Sequence, residues 1–143
     1  LASVDETTFA GLENLQFMIL TNQRFKSLNP RAFRHMTKLS TLWLNGNQLE
    51  SMSAGLFRGL ASLRSLDLKN NRLKSIDPLT FNTLNTVTSL DLRNNSISAI
   101  PSDMFEGMVS LRDVYLSGNP IYGTLGKARI QEMCDVNPTC VVH

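Results

Sequence analysis

The stretch "SLRSLDLKNNRLKSIDPLTF", residues 62–81, decides the fold. Its Leu63, Leu66, Leu68 and Leu73 recur too regularly for a loop and too unevenly for a single helix. Displacing the sequence by 24 residues brings four segments into register: "NLQFMILTNQRFKSLNPRAFRHMT" at 14, "KLSTLWLNGNQLESMSAGLFRGLA" at 38, "SLRSLDLKNNRLKSIDPLTFNTLN" at 62 and "TVTSLDLRNNSISAIPSDMFEGMV" at 86. A fifth, "SLRDVYLSGNPIY", starts at 110 and then breaks. The opening "LASVDETTFAGLE" is the back half of an earlier unit, with Leu1, Val4, Phe9 and Leu12 matching Phe25, Leu28, Phe33 and Met36. Self-similarity at this period is the mark of a solenoid.

Composition agrees with a folded chain: 42% of the 143 residues are hydrophobic and 18% charged. The net charge of +2 comes from 14 basic and 12 acidic residues spread along the chain, so electrostatics singles out neither nucleic acid nor an anionic membrane. Apolar runs fall far short of the roughly 20 residues that span a bilayer. The sequence shows no signal peptide, and Leu1 in place of Met points to a mature or trimmed chain.

The spacing has a direct physical reading. Alternation at Leu42-x-Leu44, Leu66-x-Leu68 and Leu90-x-Leu92 is that of a short strand with one buried face, so successive coils stack their strands into a parallel sheet. Leu49, Leu73, Ile97 and Ile121 turn the chain back, Met52, Ile76 and Ile100 fill the far side, and Phe9, Phe33, Phe57, Phe81 and Phe105 form an aromatic spine. Asn47, Asn71, Asn95 and Asn119 recur just after the strand, where a buried amide can satisfy inward-pointing backbone groups and form a structural ladder between coils. Position 23 carries Gln instead, so that bend is expected to be looser or differently bonded.

Each unit thus reads L-x-x-L-x-L-x-x-N-x-L followed by an apolar residue, a Phe and another apolar residue. This resembles the leucine-rich repeat, in the 24-residue typical type of extracellular receptors and secreted proteins, over residues 1 to about 122. The resemblance implies an α/β fold: a right-handed β-α solenoid with a concave parallel sheet, an irregular convex side and a short C-terminal capping helix. Residues 1–122 are then the repeats and 123–143 the cap. In the cap, "GTLGKARIQEMC" can form a helix with Leu125, Ala128, Ile130 and Met133 inward and Lys127, Arg129 and Glu132 outward. The N-terminal end lacks the cysteine-rich cap of many secreted relatives, which suggests a fragment or an unusually capped form, with an edge open to self-association. Asn119-Pro120 resembles the start of the family's cysteine-rich C-terminal cap, without the closely spaced cysteines that normally follow.

Cys134 and Cys140, a C-x5-C pair confined to the cap, favour a disulfide and an oxidising compartment over two free cytosolic thiols. A metal site that adds His143 would have three ligands at most and lacks a C-x2-C motif. Asn94-Asn95-Ser96 is an N-glycosylation tripeptide at Asn94, at the edge of the sheet.

In leucine-rich repeat proteins the non-leucine strand positions face outward on the concave sheet, and that face commonly binds other proteins. Carried onto this sequence, the face is built from Phe17, Ile19, Trp43, Asn45, Asp67, Lys69, Asp91, Arg93, Asp113 and Tyr115. Phe17, Ile19 and Trp43 form an apolar cluster suited to anchor an interface or to strengthen cross-strand packing. Asp67 and Asp91, with Lys69 and Arg93 two positions on, read as an ion-pair lattice that could complement a charged partner. Calcium binding by Asp67, Asp91 and Asp113 would lack an oxygen-rich loop.

No catalytic site, cofactor or metal is expected: the two histidines, His35 on the convex arc and His143 at the end, come with no phosphate loop or nucleophile elbow. The expected function is recognition of a protein ligand through the concave face, in an extracellular or cell-surface protein, with no nucleic acid and no membrane insertion. A structural spacer or oligomerisation unit, and a cytoplasmic targeting domain of a larger protein, are the alternatives.

Overall fold

The computed structural model describes residues 3–143; Leu1, matched above to Phe25, lies outside the described residues. The chain forms β1 (Phe17–Ile19), β2 (Thr41–Trp43), β3 (Ser65–Asp67), β4 (Ser89–Asp91), β5 (Asp113–Tyr115), α1 (Pro120–Cys134) and β6 (Val141–Val142). All six strands join one parallel sheet in sequence order, and each of the first four pairs with its successor at the repeat period, as Leu42 with Leu66 and Leu66 with Leu90, whereas β6 joins β5 outside that period. A parallel strand returns to its neighbour by a right-handed crossover, so sequential order winds the chain into a right-handed coil. The middle residue of every repeat strand, Met18, Leu42, Leu66, Leu90 and Val114, is buried, and its flanking residues face the open side.

The far side of each coil is turns rather than helix. Phe9, Phe33, Phe57 and Phe81 stack face to face there, with centroids 5.6, 6.3 and 6.0 Å apart. Strands across the core pack at about 4.8 Å. The coils therefore spread apart on the aromatic side, and this difference bends the sheet face into the concave side. Phe105 is buried but lies outside the stacked run. Val4 and Phe9 close the core at the N-terminal end, whereas Leu12 is 43% exposed despite its match to the buried Met36. No coil precedes it among the described residues to cover it.

The asparagine ladder is complete. Asn95 accepts the Leu73 N–H at 3.0 Å and donates to the Leu68 and Leu92 carbonyls, each at 3.0 Å. Asn71 and Asn119 repeat the arrangement, and Asn47 accepts from both Gln23 and Phe25. The bend at Gln23 is indeed bonded differently: its side-chain amide donates to the Thr21 carbonyl, and both Asn22 and Arg24 take left-handed backbone angles.

The C-terminal cap departs from its expected form. α1 begins at Pro120 rather than Gly123, and Gly126 (φ 80°, ψ 159°) interrupts it. The interruption shifts the helical register, so Ile121, Ile130 and Cys134 are buried and Met133 is partly buried, while Leu125 (39% exposed) and Ala128 face outward, correcting their inward assignment. Asn119 precedes the helix yet makes no side-chain cap, because its amide belongs to the ladder. A sixth strand then seals the last coil: Val141 donates to Arg112 and His143 to Val114, and Val142 is fully buried. Cys134 and Cys140 form a disulfide, Cα to Cα 5.8 Å. No helix among the described residues is long and apolar enough to cross a membrane.

Candidate functional site

The concave face is a grid whose columns run across the strands and whose rows are single strands. Its first column starts with Ile19, paired with Trp43, which pairs with Asp67, then Asp91, then Tyr115. Neighbouring side chains on such a face touch, so the chemistry of each column is continuous.

At the β1 end the grid is apolar. Phe17 and Ile19 are 63% and 60% exposed and Trp43 is 40% exposed, the last leaning over β3 so that its indole N–H lies 3.5 Å from the Ser65 hydroxyl. Ile19 and Trp43 meet as register partners, while Phe17 stands beside Thr41 at the other end of β1. Asn45, expected on the concave face from its repeat position, is partly buried and accepts a hydrogen bond from Thr21 at 2.9 Å.

The middle and far end form a chain of charged and aromatic contacts. Lys69 lies 3.5 Å from Asp67 and also donates its backbone N–H to that carboxylate at 3.0 Å. Asp91 is held by Arg93 through Nη2 at 2.6 Å, Nε at 3.0 Å and the Arg93 N–H at 3.1 Å. That grip covers Asp91 and leaves it buried, although its position faces the open side. Arg93 in turn lies over the Tyr115 ring at 4.9 Å, Tyr115 stacks on His143 at 4.6 Å, and His143 Nε2 meets Asp113 at 2.8 Å. Arg93 is thus shared between an ion pair and a cation–π contact, the fork-and-plane geometry that guanidinium allows and ammonium does not.

Burial raises the Asp67 pKa, and the neighbouring Asp91 charge raises it further, against the lowering effect of the Lys69 N–H. Arg93 is held more firmly protonated by its hydrogen bonds to Asp91. The three carboxylates each face a basic partner, Lys69, Arg93 or His143, rather than converging on one point. No group of three or more His, Cys, Asp or Glu among the described residues is placed to hold a metal ion.

His143 is the residue of this face that sequence patterning does not foreshadow. Its place depends on β6, a two-residue strand outside the repeat register, for which the β-branched pair Val141-Val142 is the one sequence signal. Asn94 is exposed, with a left-handed backbone (φ 55°), and its amide nitrogen donates to Asn70 at 3.1 Å.

A family model for the leucine rich repeat matches residues 1–49, 13–73 and 61–121. Among curated proteins none matches this sequence. Among solved structures, the APL1 leucine-rich repeat domain superposes with a TM-score of 0.79 at 21% identity, over 83% of this chain and 32% of that one. A structure of the Toll–Spatzle complex from Drosophila superposes with a TM-score of 0.76 at 26% identity, over 83% of this chain and 16% of that one. The chain therefore spans a third or less of the proteins it superposes on. With strands, ladder and aromatic spine recurring every 24 residues and the family pattern matched from residue 1 to 121, the chain belongs to the leucine-rich repeat family.

Proposed function

We propose that this chain is a non-catalytic recognition module of a secreted or cell-surface protein, which binds a protein ligand through the concave sheet around Phe17, Ile19 and Trp43. The observation that carries this reading is the exposure of these three large apolar side chains on a rigid sheet, beside a charged lattice that already satisfies itself. Exposed aromatics on a preorganised backbone give binding energy at small entropic cost. Lys69, Arg93, Tyr115 and Asp113 would then set orientation and association rate more than affinity. The Toll–Spatzle complex supports the reading, since a chain of this fold occurs there in an assembly with a protein ligand. The Cys134–Cys140 disulfide supports an oxidising compartment.

The test is affinity capture from the source organism's extracellular fluid and cell-surface extract, with a photo-crosslinking residue at position 45 to localise contact. A protein captured by the native domain, crosslinked from position 45 and lost with Trp43→Glu, is the expected result. Capture that survives Trp43→Glu would send the search to other faces.

A second reading is assembly through β1. Among the described residues it is the edge strand of the sheet and carries Phe17 and Ile19, so a second copy could add its own edge there. Sedimentation equilibrium separates the two: the recognition reading predicts a monomer, the assembly reading a dimer that Ile19→Lys dissociates. A glycan at Asn94, proposed from its tripeptide, would require release of the hydrogen bond to Asn70.

A further inference from the structure

Away from the concave strip, a cavity of about 400 Å3 opens beside the N-terminal ends of β3, β4 and β5, where the last coil meets the cap. Arg64, Thr88 and Arg112 occupy one position in three successive units, and Thr86, Ser110 and Thr139 complete the polar lining. Neither arginine forms an ion pair among the described residues, in contrast to Arg93 and Arg129.

The hydroxyls have a definite polarity. Thr86 donates to the Leu63 carbonyl at 2.7 Å, Thr88 to Arg64 at 3.2 Å and Ser110 to Asn85 at 2.7 Å. Thr139 lies 3.3 Å from the Leu111 carbonyl and 2.9 Å from the Asn137 side-chain oxygen. A hydroxyl has one proton, and each of these is committed to the protein, so what remains toward the cavity is acceptor lone pairs. The lining thus combines two strong cationic donors with four neutral acceptors. A ligand that fits must carry anionic groups for the arginines and hydrogen-bond donors for the hydroxyls.

We propose that this cavity binds an acidic saccharide, its carboxylate or sulfate groups on Arg64 and Arg112 and its ring hydroxyls donating to Thr86, Thr88, Ser110 and Thr139. Two strand spacings separate the arginine backbones, about 10 Å, which suits charges carried on alternate sugar rings. Val109, 65% exposed at the rim, offers an apolar surface to a ring's C–H face. A phosphodiester backbone presents acceptors alone and would set acceptor against acceptor at the hydroxyls. The cap supplies the far wall: Asn137 donates to the Val109 and Leu111 carbonyls at 2.9 and 2.8 Å, and the disulfide closes the loop that carries Thr139.

Amide chemical shifts of the whole chain, titrated at physiological ionic strength, test this assignment. The probes are a hyaluronan hexasaccharide, a heparin-derived hexasaccharide, an uncharged chitin hexasaccharide and a single-stranded DNA hexamer. Saturable shifts at Thr86, Thr88, Ser110 and Thr139 with at least one acidic saccharide are expected. Hyaluronan binding would assign the carboxylate, and heparin alone the sulfate. Arg64→Gln and Arg112→Gln should each weaken binding at least tenfold, Lys26→Gln on the opposite side should not, and unchanged shifts in β1 and β2 certify the variants' fold. The assignment is overturned if neither acidic saccharide saturates, if binding survives both arginine substitutions, or if the DNA or the uncharged sugar binds the same residues equally well.

Discussion

At the scale of the residue, the ladder amides are unequal in what their loss would expose. The Leu68 carbonyl receives bonds from both Asn71 and Asn95, and the Leu92 carbonyl from both Asn95 and Asn119. Removing Asn95 leaves each carbonyl one donor, but it strips the buried Leu73 N–H of its acceptor. Asn95→Ala should therefore cost about 2 kcal/mol, the penalty of one orphaned backbone group, rather than the sum of all its bonds. Chemical denaturation of the two proteins measures this. Thr80 is the opposite case. It stands in the column of Ala32, Leu56 and Met104, fully buried, and its hydroxyl has no hydrogen-bond partner. Thr80→Val keeps the shape and removes the stranded group, so it should raise stability by about 1 kcal/mol. A lower denaturation midpoint would contradict this.

Asp67 gives a pH signature. Its native pKa lies above the ordinary 3.8, so the native state holds the proton more tightly than the unfolded state. Stability from this group is present below 3.8 and is lost as pH rises through the native value. Asp67→Asn, which keeps an acceptor for the Lys69 N–H and removes the repulsion with Asp91, should melt higher than the native protein at pH 7 and equally at pH 3. A native protein that melts higher at pH 7 would show that the Lys69 pair outweighs burial.

At the scale of the element, the repeats and the cap are stabilised differently. A repeat strand of three residues cannot persist alone, and gains its order from the coils on either side. Among the described residues the cap packs on the repeats from one side only, and it adds a covalent closure. A short disulfide loop contributes about 2 kcal/mol by restricting the unfolded chain. The Cys134→Ser, Cys140→Ser variant should lose about that much, with faster amide exchange at Val142 and His143 and unchanged exchange at Leu66. Uniform acceleration along the sheet would mean that the cap and the repeats open as one unit.

The contrast also explains what could be read in advance. Leucine, asparagine and phenylalanine positions repeat in unit after unit, so five copies of one pattern identify strand, bend and spine together. The cap occurs once. Nothing repeats to show that Gly126 breaks α1, that Leu125 and Ala128 face solvent, or that Val141 and Val142 add a strand. The concave residues were legible by column, because period-two alternation fixes which side chains face out. Their contacts were not, since Arg93 bridging Asp91 and Tyr115, and His143 completing the row, depend on rotamers and on β6.

At the scale of the whole molecule, a curved sheet divides the surface into two chemistries. The concave face runs from exposed Phe17, Ile19 and Trp43 to a self-paired charged row, and the N-terminal ends of β3 and β5 carry Arg64 and Arg112, which form no ion pair among the described residues. With a net charge of only +2, long-range attraction is weak, so specificity must come from these local arrangements. A rigid scaffold with short contacts between neighbouring coils suits recognition, because little freedom is lost when a ligand docks.

The most direct test measures the affinity of the captured protein ligand for four forms of this chain: native, Trp43→Glu, Arg93→Glu and, on the convex side, Arg58→Glu. Placing the ligand on the concave sheet predicts at least a hundredfold loss for Trp43→Glu, a smaller loss dominated by the association rate for Arg93→Glu, and native affinity for Arg58→Glu. Equal affinity for the native and Trp43→Glu forms, or a loss confined to Arg58→Glu, would contradict it.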